Sequence, residues 1–304
     1  MPDTAPAQGL SGTGSLTDDL VAWYAVAARD LPWRRPGASA WAVLVSEVML
    51  QQTPVVRVVP AWEQWLARWP TPAALAAEQP GEAVRAWGRL GYPRRALRLH
   101  AAAEAVVARF GGELPRTVQE LLSLPGVGDY TARAVAAFAY RQRQPVVDTN
   151  VRRVVARTVE GVADAAVTKR DLALVESLLP ADDEDAATAS VALMELGALI
   201  CTARAPKCDA CPVAPRCAWR AGAYPPLAAP VKRPQGYAGT DRQVRGRLLA
   251  VLRDSDAPVD AAVLAQVWDD PVQRARALDG LVSDGLVDPV ADDRYALPTG
   301  KRLT

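Results

Sequence analysis

The sequence predicts an all-α protein carrying a small C-terminal appendage, and three observations lead there. From Leu16 to about Ala221, the residues Ala, Leu, Val and Arg recur at three- and four-residue spacing, as in "PGEAVRAWGRLG" and "ALRLHAAAEAVVARF". That is the period of an amphipathic helix built from good helix formers. Short breakers such as "LPWRRPG", "LGYPR", "GGELP" and "LPGVG" cut the pattern into roughly ten segments. No stretch of useful length alternates with the two-residue period of a strand.

The elements begin after a tail. Residues 1–15, "MPDTAPAQGLSGTGS", are rich in Pro, Gly, Ser and Thr and lack the basic and apolar regions of a signal peptide, so disorder is expected. The helical domain follows over 16–222, and a proline-rich linker is expected over 223–241. Within 242–304, "RQVRGRLLAVLRD", "DAAVLAQVW" and "DPVQRARALDGLVSDG" read as three helices. "LVDPVADDRYALP" reads as a hairpin with an acidic turn, which completes the parts of a winged-helix-like domain. No apolar run approaches the length of a membrane span, which points to a cytoplasmic protein without a membrane partner.

The 304 residues carry 35 Lys and Arg against 34 Asp and Glu, so the net charge of +1 neither invites nor excludes a polyanion. Its distribution says more. Seven arginines and two acids lie between Arg85 and Arg116, whereas acids gather at 182–185 and toward the C-terminus. A basic face on a neutral protein suits a nucleic-acid footprint or a merely solvated surface. Lysine is scarce: the chain has four, none before Lys169.

All four cysteines fall within seventeen residues, as Cys201-x6-Cys208-x2-Cys211-x5-Cys217. In a cytoplasmic chain such a cluster points to metal chemistry before disulfides. Zinc sites usually pair their thiolates in two close knuckles, and only one short pair exists here. A cubane iron–sulfur cluster instead takes four thiolates from a compact, proline-bent loop. Upstream, "LPGVGDYTARAVAAFAY" sets Gly126 and Gly128 around Val127 ahead of a helix, a turn able to present N–H groups to a phosphate. "VVDTNVRRV" follows it.

Together these motifs resemble those of the endonuclease III and MutY group of helix–hairpin–helix DNA glycosylases, with the likeness running from residue 16 to residue 222. The cysteine loop matches that group's [4Fe–4S] loop, and Asp148 its signature aspartate. The resemblance implies a two-lobed helical fold with a [4Fe–4S] cluster on Cys201, Cys208, Cys211 and Cys217. It also implies double-stranded DNA as partner, met by Gly126, Val127 and Gly128 of the hairpin and by Arg204 and Lys207 of the cysteine loop. Strand-cleaving relatives carry a Schiff-base lysine directly after "GVGD", where this chain has Tyr130. A monofunctional enzyme using water as nucleophile is therefore expected.

The stretch "SEVMLQQT", residues 46–53, resembles the corresponding helix of the MutY-type adenine glycosylases. By that resemblance Glu47 is the general acid that protonates adenine, a carboxyl whose proton is retained by desolvation. Asp148 stabilises or bonds the oxocarbenium-like sugar, Tyr130 orients the carboxylate pair, and Asn150 holds Asp148. Extruding a base leaves a gap in the duplex, and Gln52 and Tyr92 are expected to fill it. Leu31, Trp33, Arg34, Leu50 and Glu195 are expected to line the adenine pocket. Most of the nine tryptophans are expected to pack, and His100 to make a polar contact.

Three departures stand out. Pro93 follows Tyr92 where relatives commonly have a second aromatic, and "VDTN" replaces "VDGN". The C-terminal segment is also too short and too helical for the Nudix-related domain with which long relatives read 8-oxoguanine. The expected function is base excision repair: removal of adenine mispaired with 8-oxoguanine or guanine, by a nucleoid-associated monomer without a nucleotide cofactor. A thymine/uracil glycosylase acting opposite guanine and a non-catalytic iron–sulfur DNA-binding protein are the competing readings. Glu47 with "MLQQT" favours adenine, and the retained acid and wedge favour an enzyme.

Overall fold

The computed structural model describes residues 15–164, 168–226 and 236–300. The tail expected over 1–15, except Ser15, lies outside the described residues, as do residues 227–235 of the expected linker. The chain divides into two compact units, Met1–Asp30 with Arg133–Pro230 and Leu31–Ala132 with Val231–Thr304.

The helices run α1 (Leu16–Ala27), α2 (Ala40–Leu50), α3 (Val55–Arg68), α4 (Pro72–Ala76), α5 (Pro80–Trp87), α6 (Arg94–Phe110), α7 (Val118–Leu122), α8 (Asp129–Tyr140), α9 (Thr149–Val155), α10 (Lys169–Leu178), α11 (Asp183–Leu199), α12 (Ala218–Ala221), α13 (Asp241–Arg253), α14 (Ala261–Ala265) and α15 (Pro271–Ser283). Those before residue 222 outnumber the expected segments because α4, α7 and α12 are little more than one turn each, too short to show a period. Local chemistry starts several of them. Ser39 caps α2 by accepting from the Ala42 N–H, Thr71 and Thr117 do the same for α4 and α7, and Pro72 and Pro80 occupy first-turn positions. Each side-chain cap is worth about 1 kcal/mol.

In the first unit, α1, α9 and α11 close around Leu20, Val151, Val154, Val155, Leu193 and Leu196. Helix α9 runs on into a widened π turn, Ala156–Glu160. Gly197 on α11 permits the close approach of α9, since a Cβ there would stand 2.7 Å from the Asn150 Cβ and 2.9 Å from its carbonyl oxygen.

Tryptophans organise the second unit. Trp65 meets Trp69 and Trp87 edge-on at centroid distances of 4.7 and 5.6 Å. The indole N–H groups of Trp41, Trp62 and Trp87 donate to the carbonyls of Trp69, Ala42 and Gly91. These rings pack, as expected of most of the tryptophans. His100 is buried with its Nε2 2.8 Å from the Glu78 carbonyl oxygen.

The C-terminal helices α13–α15 carry a three-stranded antiparallel sheet of order β1-β3-β2, made of β1 (Val259–Asp260), β2 (Asp288–Val290) and β3 (Arg294–Ala296). The expected hairpin is β2–β3, turned by Asp292 and Asp293 at left-handed φ of 62° and 52°. Aspartate tolerates that region better than most residues. Strand β1, two residues long, was not anticipated because so short a run has no readable alternation. This segment packs on α5: the Gly81 N–H donates to the Pro298 carbonyl at 2.7 Å, and Arg85 donates to the carbonyls of Arg253 and Ser255. Arg94 pairs with Asp284 at 3.1 Å. Part of the arginine-rich stretch 85–116 is thus committed to internal contacts. Among the described residues no helix is long and apolar enough to cross a membrane.

Candidate active site

Helix α2 is buried on every side from Trp41 to Met49, and Glu47 within it is 5% exposed. A polar group withdrawn from water this far requires a hydrogen-bond partner. Tyr130, in the first turn of α8, donates its phenol O–H to Glu47 Oε2 at 2.9 Å. A phenol donating to one carboxyl oxygen fixes the orientation of the acid.

Asp148 is the N-cap of α9. One carboxylate oxygen accepts from the backbone N–H groups of Asn150 and Val151 at 2.8 and 2.7 Å, and the other from Asn150 Nδ2 at 2.8 Å. The carboxylate is thereby fixed at the positive end of a helix. Asn150 Oδ1 in turn accepts from Arg153 Nη2 at 2.8 Å, and Arg153 Nε donates to the Cys201 carbonyl at 2.7 Å. A hydrogen-bonded chain therefore runs from Asp148 to the start of the cysteine loop. Sequence reasoning missed Arg153, although its i+3 spacing from Asn150 on one helix face was a usable signal.

Gln52 and Tyr92 are both exposed, Tyr92 by 51%. Both are non-glycine residues in the left-handed region, at φ of 57° and 48°. Each such conformation costs on the order of 1–3 kcal/mol and persists only where flanking structure enforces it. Leu31 and Trp33 are each 6% exposed, with Trp33 on the 3-10 turn Pro32–Arg34 and edge-on to Trp62 at 5.7 Å. Arg34 and Leu50 are half-buried.

In the hairpin, Gly126 has φ +78° and a Cβ there would strike the Arg98 Cβ at 2.6 Å, so glycine is required by packing. Val127 is buried and anchors the turn. Gly128 is different: its φ is ordinary and nothing lies within 4 Å of its Cβ position. No internal contact demands a glycine there, and the open space suits close approach of an external group.

Glu195, expected at the adenine pocket, is fully buried on α11 in the first unit. Its Oε1 accepts from the Arg29 backbone N–H at 3.0 Å and from Nε at 2.8 Å, and its Oε2 from Nη2 at 2.6 Å. Arg29 was not legible as its partner, being 166 residues away.

The four cysteines line one small pocket, together with Leu196, Ile200 and Trp219. Among the described residues no three His, Cys, Asp or Glu side chains converge on a single-ion site. Burial pushes the Cys211 thiol up to about 11 and raises Cys201 as well. Thiolates here therefore require nearby positive charge, which iron provides when bound. Arg157, on the π turn, adds some: its Nη1 lies 3.4 Å from Cys201 Sγ, and its guanidinium stacks 4.5 Å from the Trp219 ring centroid. Four sulfurs around a partly desolvated cavity fit an iron–sulfur centre. Arg204 and Lys207, in the same loop, are exposed.

Residues 45–176 match the HhH-GPD superfamily base excision DNA repair protein family, and residues 201–217 match the iron-sulfur binding domain of endonuclease III. The adenine DNA glycosylase of Mycolicibacterium smegmatis is 59% identical over 280 residues, covering 92% of this chain and 94% of the relative. That of Mycobacterium tuberculosis is 54% identical over 302 residues, covering 98% and 99%. A solved thermostable thymine-DNA glycosylase shares the fold at a TM-score of 0.63 and 26% identity, covering 68% of this chain and 95% of that one. With relatives this similar over nearly its whole length, the chain belongs to the adenine DNA glycosylases of the HhH-GPD superfamily.

Proposed function

We propose that this glycosylase excises adenine mispaired with 8-oxoguanine or guanine in double-stranded DNA, using water as nucleophile and leaving the strand intact. The observation that carries the reading is the Glu47–Tyr130 pair: a buried carboxyl held by a phenol at 2.9 Å. A proton on that carboxyl passes to the adenine ring, which makes the base a competent leaving group. The C–N bond then breaks with positive charge developing on the sugar, which the fixed carboxylate of Asp148 stabilises or captures. Asn150 keeps Asp148 in place. No lysine precedes Lys169, so the amine for strand cleavage is missing from the hairpin region.

Cys201, Cys208, Cys211 and Cys217 would hold a [4Fe–4S] cluster, which when bound cross-links the loop and can exchange an electron. Arg204 and Lys207 meet DNA phosphates beside it. The sequence likeness to a thymine/uracil-DNA glycosylase is weaker than that to the adenine enzymes, 37% over 202 residues against 54 and 59% over nearly the whole chain, so adenine is the favoured base.

Glu47→Gln tests the assignment. It keeps size and polarity but removes the transferable proton, so DNA binding should survive while single-turnover base release is lost. Retention of more than about a tenth of the wild-type rate would exclude Glu47 as the acid. Duplexes with adenine opposite 8-oxoguanine, adenine opposite guanine and thymine opposite guanine separate the base readings. Release from the thymine duplex alone would overturn the proposal.

A further inference from the structure

We infer that Arg95 is a positioning residue that clamps the Gln52 turn and the Tyr92 turn into one rigid two-pronged wedge. The inference rests on the adenine-excision reading, and it adds a residue that the sequence motifs did not single out.

Arg95 lies in the first turn of α6 and is 6% exposed. Both circumstances oppose a cation. The N-terminus of a helix is its positive end, and a buried charge without a counter-ion is costly. Among the described residues Arg95 forms no ion pair; its guanidinium faces oxygens of two turns instead. Nη1 donates to the carbonyls of Val48, Met49 and Gln51 at 2.8, 3.0 and 2.6 Å. Nη2 donates to Thr53 Oγ1 at 3.0 Å and to the Gly91 carbonyl at 2.9 Å.

The first set lies at the negative C-terminal end of α2, which offsets the charge. Burial pushes Arg95 down to about 10, so it remains a cation at neutral pH. Thr53 strengthens the tie, its Oγ1 donating across to the Leu90 carbonyl at 3.2 Å. The clamp thus brackets Gln52 on both sides, at Gln51 and Thr53, and ends at Gly91, directly before Tyr92. These are the two residues whose left-handed backbone needs enforcement. Only a planar fork reaches both turns at once.

The test compares adenine opposite guanine with adenine opposite an abasic-site analogue, where no base pair has to be opened. Single-turnover release is measured on both, with 2-aminopurine fluorescence beside the target reporting unstacking. Arg95→Lys keeps the charge and loses the fork. Its rate should fall on the order of tenfold more on the paired duplex than on the unpaired one, since misplacing positioning groups by an ångström costs this much or more. The fluorescence rise should be lost with it. Thr53→Val, which deletes one strut, should show the same bias in smaller degree and serves if Arg95→Lys does not fold.

Equal losses on the two duplexes, with unstacking intact, would overturn the clamp while leaving adenine excision standing. Failure of the wild-type protein to release adenine from either duplex would overturn both.

Discussion

Removing Arg29 should reveal how much the first unit depends on one long-range ion pair. Glu195 is fully buried, while the Arg29 side chain is 32% exposed. The hydrogen bond to Glu195 holds the Arg29 guanidinium above its ordinary range. Arg29→Met removes the Arg29 cation from the carboxylate together with the contacts at 2.8 and 2.6 Å. Breaking a buried pair from one side costs about 3–5 kcal/mol. Water already reaches Arg29, so the lower end applies, about 3 kcal/mol.

The pH dependence has a definite sign. With Arg29 gone, burial favours the protonated carboxyl in the folded variant more than in the unfolded chain. The folded variant then binds a proton more readily than the unfolded chain, so the variant gains stability as pH falls. The deficit should therefore be larger near neutral pH and should shrink as the pH falls toward the carboxylate range. Glu195→Gln should cost less than Arg29→Met, because the freed guanidinium can turn toward water. Equilibrium urea unfolding followed by circular dichroism measures both. A deficit below about 1 kcal/mol for Arg29→Met, or one independent of pH between 7.5 and 5, would refute the reasoning.

Three further outcomes are expected. Gly197→Ala forces a Cβ to within 2.7 Å of Asn150; it should cost about 1–3 kcal/mol in unfolding assays and slow base release by displacing the Asp148 holder. Gly126→Ala should destabilise the fold through its φ of +78° and the 2.6 Å approach to Arg98, whereas Gly128→Ala, in open space, should leave the melting temperature unchanged and weaken DNA binding in titrations. Anaerobically purified protein should be yellow-brown, with a shoulder near roughly 400 nm and about four irons per chain, and stoichiometric zinc without iron would contradict the cluster.

What the sequence determined by itself is what adjacent residues encode. The helical period, the breakers, the cysteine spacing and the turn "GVGD" are each properties of neighbours along the chain. Asp148 as an N-cap belongs to the same class, since a capping carboxylate precedes its helix by one position. So does the acidic hairpin turn at Asp292 and Asp293. Motif order was also enough to point to the family, because each motif is local even where the site is not.

Only the tertiary structure decided who meets whom across distance. The partners Glu47 and Tyr130 stand 83 residues apart, Arg29 and Glu195 166, and Arg85 and the Ser255 carbonyl 170. No spacing rule connects such pairs. Arginine makes this plainest: its letter reads as surface charge, yet Arg95 and Arg153 are 6% and 7% exposed and bind carbonyls. Whether a guanidinium faces water or five backbone oxygens depends on which turns the fold brings within its reach, and that is a property of packing rather than of the chain's order.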